Sequence, residues 1–215
     1  MLMKVNYLLV ISLVFTLLIS SIAQATTDSE IKILVMGDSL SAGYGIEVDQ
    51  GWVELSRIQL KQSHPEVTLI NASISGETAK GGSRRLPLMI KVHQPDMLIL
   101  ELGANDGLRG YPVNSITLEL KKMIEYALEQ NIEVVLVGIQ LPPNLGDTYN
   151  NAFSNQYPDL AKQYDLALVP FLLEGVVFND KWMQNDGLHP NALGQPTLRD
   201  NVLEILLPIL DGKLN

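Results

Sequence analysis

The chain of 215 residues contains no cysteine. Disulfide bonds, a cysteine nucleophile, a thiolate metal site and a lipid-modified N-terminal cysteine are therefore excluded. Histidine is also scarce, with three residues, and acidic residues outnumber basic ones to give a formal net charge of −9. Because this charge repels nucleic acid, and because no basic patch with interleaved aromatic residues is present, we expect no nucleic-acid partner.

The N-terminal residues carry the pattern of an export signal. Lys4 precedes an almost unbroken apolar run from Tyr7 to Ile19, and Ala23-Gln24-Ala25 follows as an A-x-A cleavage site. The run is short for a membrane span of about 20 residues, although a retained membrane anchor is the alternative. We therefore predict a signal peptide at residues 1–25 and an exported mature chain, residues 26–215, without a stable membrane anchor.

In the rest of the chain, short apolar runs alternate with longer amphipathic ones. Most of the apolar runs are continuous stretches of β-branched residues and leucine, which indicates strands buried on both faces of a parallel sheet. The alternation predicts a single α/β domain, a three-layer α/β/α sandwich, with functional groups just beyond the C-terminal ends of the strands. Strands are predicted at Ile31–Met36, Val67–Asn71, Met97–Leu102, Glu133–Ile139 and Leu166–Val169. Helices are predicted at Gly51–Gln62, Glu77–Val92, Val113–Glu129, Tyr149–Tyr164 and Thr197–Leu210.

The clearest of these helices, Val113–Glu129, has an apolar face at 3.6-residue spacing. The residues predicted to face inward are Ile116, Leu120, Ile124, Ala127 and Leu128.

The first strand runs directly into Gly37-Asp38-Ser39-Leu40. A serine there stands at the functional edge of the sheet, and the N–H groups of a helical turn that starts there can hold an anion. The alternatives are a serine that caps a helix and a phosphate-binding loop, although neither G-x-x-x-x-G-K-[ST] nor G-x-G-x-x-G is present.

A serine needs a nearby base to act as a nucleophile. His64 and His93 stand where helices are expected to end, so a surface or helix-terminal role explains them. His189 lies in Asp186-Gly187-Leu188-His189-Pro190, where the carboxylate of Asp186 can hold the imidazole Nδ1–H and leave Nε2 as the base. A loop histidine that binds an aspartate for structural reasons is the alternative.

Two further segments bring polar groups to the same edge of the sheet. The second strand leads to Ser75-Gly76, and the third leads to Gly103-Ala104-Asn105-Asp106. An acyl-transfer site needs N–H donors directed at the oxyanion, and the Gly76 backbone and Asn105 side chain can supply them. Each residue alone is equally explained as a turn-former.

Taken in order, these four segments resemble the four motif blocks of the SGNH (GDSL) hydrolase family. The stretches Asn71–Gly76, Glu101–Gly103, Asn105–Gly110 and Trp182–Gln184 are similar to its bacterial periplasmic branch, whose members are described as acyl-CoA thioesterases, proteases, lysophospholipases or arylesterases. The resemblance implies a flavodoxin-like fold with five parallel strands, no metal, no organic cofactor and a periplasmic location, with secretion as the alternative. We expect a monomer.

The resemblance also assigns roles to individual residues. It implies that Ser39 is the nucleophile, His189 the general base and acid, and Asp186 the residue that orients the imidazole. The oxyanion donors would be the backbone N–H groups of Ser39 and Gly76 and the side-chain amide of Asn105.

Apolar residues on the loops of the same edge offer a groove for an acyl chain. They are Ile74, Leu108, Tyr111, Leu141, Pro142, Pro143, Trp182 and Leu188. Core or loop packing is the alternative for each of them. The resemblance implies small-molecule substrates, namely thioesters, simple esters and lysophospholipids with medium or long acyl chains, and makes Leu141 a wall residue. Deacetylation of sugars, or a non-catalytic nucleotide- or flavin-binding module on the same fold, remain alternatives.

Overall fold

The five apolar segments form one parallel sheet. The computed structural model describes residues 30–214. The strands are β1 (Ile31–Gly37), β2 (Val67–Asn71), β3 (Met97–Glu101), β4 (Glu133–Val137) and β5 (Ala167–Val169). Their order across the sheet is β2-β1-β3-β4-β5, with every neighbouring pair parallel. This is the flavodoxin-like order, and the predicted strands are confirmed within two residues at each end.

Helices cover both faces of the sheet, which confirms the three-layer α/β/α sandwich. They are α1 (Ser39–Ala42), α2 (Trp52–Ser63), α3 (Ala79–His93), α4 (Ala104–Leu108), α5 (Val113–Glu129), α6 (Asp147–Tyr164) and α7 (Gln195–Leu214). Short 3₁₀ turns lie at Val48–Gln50, Pro143–Leu145 and Asp180–Trp182. Helices α2 and α7 enclose one apolar core against the sheet, and α3, α5 and α6 enclose the other.

Helix α5 buries most, but not all, of the residues that its 3.6-residue spacing predicts to face inward. Four of the predicted inward residues are buried, but Leu128 is exposed and Met123 is buried in its place. At 100° per residue, Met123 lies roughly 45° from the centre of the buried stripe and Leu128 roughly 95° from it. The prediction for Leu128 was therefore wrong because this residue lies at the edge of the stripe.

The sheet order places a crevice at the end of β1. The chain leaves β1 for β2 on one side and leaves β3 for β4 on the other, so the two neighbouring strands send their connections in opposite directions. Beyond the carboxyl ends of the strands, such a reversal opens a cleft that side chains from several loops can line.

The predicted signal peptide, residues 1–25, lies outside the described residues and stays a prediction. Within residues 30–214, no helix combines the length and the apolar character that a membrane crossing requires.

Candidate active site

Ser39 is the first residue of helix α1, and only Asp38 separates it from the end of β1. The side chain of Asp38 caps this helix by accepting a hydrogen bond from the Leu40 N–H at 3.1 Å. Gly43 ends the turn with φ of +75°, a left-handed conformation that glycine adopts without strain. The tight strand–turn–helix connection therefore holds the Ser39 side chain at the edge of the sheet, where it lines a cleft.

The structure brings together Ser39, His189 and Asp186 from opposite ends of the described chain. Nε2 of His189 lies 2.8 Å from Oγ of Ser39, and Nδ1 lies 2.7 Å from Oδ2 of Asp186. An ionised carboxylate only accepts hydrogen bonds, so Nδ1 carries the proton and Nε2 is left to accept from the serine hydroxyl. This arrangement can withdraw a proton from Ser39 and hold it on the imidazole.

The loop geometry explains how Asp186 keeps the imidazole in place. The second carboxylate oxygen, Oδ1, accepts backbone hydrogen bonds from Leu188 at 2.9 Å and His189 at 3.0 Å. Gly187 has φ of +67°, which lets the chain turn back within three residues. The ring of Tyr44 packs against the imidazole with 4.7 Å between ring centroids.

The charge of Asp186 is stabilised by its hydrogen bonds. Partial burial raises the pKa of this carboxyl, but the two backbone N–H groups and the imidazole outweigh that effect and lower the pKa to about 2. Asp186 is therefore ionised at neutral pH and can stabilise the imidazolium that forms when His189 takes a proton.

Of the predicted oxyanion donors, the Ser39 N–H lies in the turn that carries the serine hydroxyl (residues 38–42, the nucleophile turn), and the Asn105 side chain contacts this turn at Asp38. Within residues 30–214, neither the Ser39 N–H nor the Gly76 N–H has a hydrogen-bond acceptor. Gly76 is exposed with φ of +81°, and its carbonyl accepts from Arg109 at 3.5 Å. Nδ2 of Asn105 donates to Oδ2 of Asp38 at 3.0 Å, and Asn105 lines the cleft. Gly76 is not among the lining residues of that cleft.

An apolar cleft of about 500 Å³ opens next to Ser39 and His189. Five of the eight apolar loop residues predicted to form the groove line it, namely Leu108, Leu141, Pro142, Pro143 and Leu188. Ile74 and Tyr111 do not line it, and both are roughly half exposed. The Tyr111 carbonyl instead accepts a hydrogen bond from the Tyr149 hydroxyl at 2.6 Å. Trp182 packs against the core formed by α2 and α7.

Part of the cleft is lined by a segment that was not predicted from the sequence. The segment follows β5, and its residues that line the cleft are Phe171, Leu172, Leu173, Val177 and Phe178. A signal was present, because the segment leaves the carboxyl end of a parallel strand, as the other site loops do. Ile139 and Gln140, which follow β4, also line the cleft.

Two carboxyl groups are buried directly behind the nucleophile. Asp38 and Glu101 are both inaccessible to solvent. Burial raises the pKa of Asp38 to about 6, although the Leu40 N–H and the Asn105 amide oppose the shift. Burial, reinforced by the negative charge of Asp38, raises the pKa of Glu101 well above its ordinary range. The nucleophile turn therefore rests on an acidic pair that favours retaining a proton.

The sequence matches a family model over residues 35–195, and that family is described as the GDSL-like lipase/acylhydrolase family. An arylesterase of Vibrio mimicus is 42% identical over 197 residues, which cover 92% of this chain and 96% of that protein. The thioesterase 1/protease 1/lysophospholipase L1 of Escherichia coli is 41% identical over 179 residues, which cover 83% of this chain and 85% of that protein.

A solved structure has the same fold. The crystal structure of TesA is 44% identical in sequence and superposes with a TM-score of 0.80, covering 82% of this chain and 98% of that one. Sequence and structure thus point to the same group of hydrolases. The chain belongs to the GDSL-like lipase/acylhydrolase family, as its four motifs predicted.

Proposed function

We propose that this protein is a serine hydrolase that cleaves acyl esters and thioesters through an acyl-enzyme on Ser39. The observation that carries the proposal is the hydrogen-bonded series Ser39–His189–Asp186, with contacts of 2.8 and 2.7 Å, at the edge of an apolar cleft. The family and the names of the relatives support this, since they include an arylesterase, a thioesterase and a lysophospholipase.

In the proposed first step, Oγ of Ser39 attacks the acyl carbonyl carbon while Nε2 of His189 takes the hydroxyl proton. The carbonyl oxygen becomes an oxyanion, which the N–H groups of Ser39 and Gly76 and the amide of Asn105 stabilise. Nε2 then protonates the leaving alcohol or thiol, and the acyl group remains on Ser39. Water, activated by His189, attacks the acyl-enzyme through the same roles and releases the carboxylic acid.

This mechanism uses side chains, backbone groups and water alone. We therefore propose that the enzyme requires no metal and no organic cofactor. We also propose that residues 1–25 direct export to the periplasm, that residues 26–215 form the mature hydrolase, and that this hydrolase acts as a monomer without a stable membrane anchor.

The cleft favours substrates with an acyl chain. Apolar residues that line it come from separate segments, with Leu108, Leu141 and Pro142 from the loops after β3 and β4, and Leu172 and Val177 from the segment after β5. A volume of about 500 Å³ falls in the range of small-molecule sites, and each methylene buried there contributes about 0.8 kcal/mol. We therefore propose medium or long acyl chains as the preferred acyl groups, rather than the acetyl group of a sugar ester.

Hydrolysis of a chain-length series tests both parts of the proposal. Purified protein is assayed on p-nitrophenyl esters from acetyl to palmitoyl and on acyl thioesters of the same lengths, with Ser39→Ala as the blank. We expect kcat/KM to rise from acetyl towards medium chains in both series, and the blank to show no enzymatic rate. A sharp preference for acetyl would refute the acyl-chain cleft, and equal rates with Ser39→Ala would refute the mechanism.

A further inference from the structure

Glu101 is a fully buried carboxyl group that the proposed mechanism does not use. It is the last residue of β3, and it pairs in register with Gly37, the last residue of β1. It does not line the cleft, so it cannot contact a substrate there. A buried carboxyl group at the centre of a sheet is unfavourable unless its oxygens are hydrogen-bonded, so its contacts indicate what it does.

One oxygen of Glu101 holds both sides of the nucleophile turn. Oε2 accepts the Asp38 N–H at 3.2 Å and the Ser41 hydroxyl at 2.7 Å. These two residues flank Ser39, one position before it and two after it. A Cβ atom on Gly37 would lie 2.6 Å from the same oxygen, so the glycine is what allows the carboxyl group to come this close.

The contact to Asp38 continues to the oxyanion donor. The residue whose N–H is held by Glu101 uses its own carboxylate to accept from Nδ2 of Asn105 at 3.0 Å. A single series of hydrogen bonds therefore runs from Glu101 through Asp38 to Asn105. Displacement of Glu101 would move the serine and an oxyanion donor together.

The other oxygen of Glu101 indicates its protonation state. Oε1 is buried and has no hydrogen-bond partner among the described residues. The titratable groups that interact electrostatically with Glu101 are Asp38, from the turn after β1, and Tyr157, from α6, and neither of them is a cation. An ionised carboxylate with an unsolvated oxygen beside another carboxyl group is unfavourable, which is why the pKa of Glu101 is raised.

We propose that Glu101 is a positioning residue that works as a neutral carboxylic acid, aligning Ser39 through Ser41 and Asp38, and aligning Asn105 through Asp38. The inference rests on the proposed function, because it concerns the geometry of that site. The neutral form is sufficient because the role needs an acceptor oxygen at the full side-chain length and does not need a charge.

Three substitutions separate the features of this role. Glu101→Gln keeps the length and an acceptor oxygen without a charge, and we expect it to keep kcat within about threefold of wild type. We expect its pH profile between pH 6 and 9 to run parallel to that of wild type. Glu101→Leu removes the acceptor and should lower kcat at least tenfold with KM within about twofold. Glu101→Asp keeps the carboxyl group but is one methylene too short to reach both donors, and should also lower kcat.

A matched control separates positioning from stability. Leu98→Ala removes a buried side chain from the same strand at a position that does not line the cleft, and should lower the melting temperature. We expect its kcat to remain at the wild-type value under conditions where it is folded. Ser41→Ala removes one of the two donors, and its effect on kcat should not add to that of Glu101→Leu.

Either of two results overturns the inference. Wild-type kcat in Glu101→Leu would show that the carboxyl group only fills space. A loss in folded Glu101→Gln as large as that in Glu101→Asp would show that the charge is required, and this comparison stands even if Glu101→Leu does not fold. The proposed function fails separately, because it is tested by wild-type enzyme against Ser39→Ala before any change is made at Glu101.

Discussion

The side-chain amide of Asn105 donates a hydrogen bond to the buried carboxylate of Asp38, with 3.0 Å between Nδ2 and Oδ2. An asparagine amide has two hydrogens, so this contact leaves the second one free on the side chain that lines the cleft. The aspartate of the Gly-Asp-Ser-Leu motif therefore has two structural functions. It caps the helix that begins with Ser39, and it fixes the rotamer of the amide proposed to meet the oxyanion.

Substitution of Asn105 by alanine should weaken catalysis more than binding. One hydrogen-bond donor directed at the oxyanion contributes about 10²–10³-fold to turnover, and we expect a loss of kcat in that range with KM nearly unchanged. The measurement is steady-state hydrolysis of a p-nitrophenyl ester. Asn151→Ala, on an exposed position of α6, is the control and should keep wild-type kcat. A loss confined to KM would contradict the assigned role.

Substitution of Asp186 by asparagine should reduce kcat by as much as about 10⁴-fold. An amide at this position presents no charge to stabilise the imidazolium, and it can hold the imidazole in the wrong tautomer. Exposed Asp180 lies in the neighbouring 3₁₀ turn, so Asp180→Asn removes the same charge without touching His189. Equal kcat values for the two variants would refute the role of Asp186.

The buried carboxyl of Asp38 should make the protein more stable as the pH falls. Its pKa rises from 3.8 to about 6 on folding, so the native state holds the proton more tightly than the unfolded state. The resulting stabilisation is complete below the unfolded pKa and is lost as the pH rises through about 6. At 1.36 kcal/mol per pKa unit, this corresponds to at most ~3 kcal/mol.

Urea unfolding of wild type and Asp38→Asn at several pH values between 4.5 and 7.5 measures this contribution. The variant cannot titrate at this position. The unfolding free energy of wild type, taken relative to that of the variant, should therefore fall as the pH rises from 4.5 to 7.5. A difference that stays constant across the range would show that the pKa of Asp38 is not raised by folding.

Phe178 should contribute to the selection of acyl-chain length. It lines the cleft but is 94% exposed, so its ring lacks an apolar partner on the outer side until a chain lies against it. Phe178→Ala should lower kcat/KM for long-chain esters about fivefold, the equivalent of ~1 kcal/mol of apolar contact, and leave acetyl ester hydrolysis unchanged.

Leu88 provides a control for that substitution, because it is exposed on α3 and does not line the cleft. Leu88→Ala should leave the chain-length profile as it is in wild type. Both variants should keep the wild-type melting temperature, since neither side chain is buried. Parallel losses for acetyl and long-chain esters in Phe178→Ala would contradict the selective role.

The sheet could be predicted from sequence because buried parallel strands leave a strong local signal. The run Met97-Leu98-Ile99-Leu100 is apolar on both faces, and it forms the fully buried β3. Glu101 ends the same strand and is buried as well, which no local pattern predicts. Its burial depends on the Asp38 N–H and the Ser41 hydroxyl, which lie about 60 residues away along the chain.

The motif residues could be named from sequence, but their surroundings could not be fully identified. Strand ends placed Ser39, Gly76 and Asn105 at one edge, since every parallel strand terminates there. The rule says nothing about which loop side chains turn towards the serine. Ile74 and Tyr111 belong to such loops and do not line the cleft, whereas Phe178 and its neighbours do.

Labelling with a fluorophosphonate followed by peptide mass spectrometry tests the central claim most directly. A serine activated by His189 and Asp186 forms a stable covalent adduct, and unactivated serines do not. We predict one adduct per chain, on the peptide that contains Ser39, which is absent in Ser39→Ala and strongly reduced in His189→Ala. No adduct on the wild-type protein, or an adduct on another serine that persists in Ser39→Ala, would contradict the account.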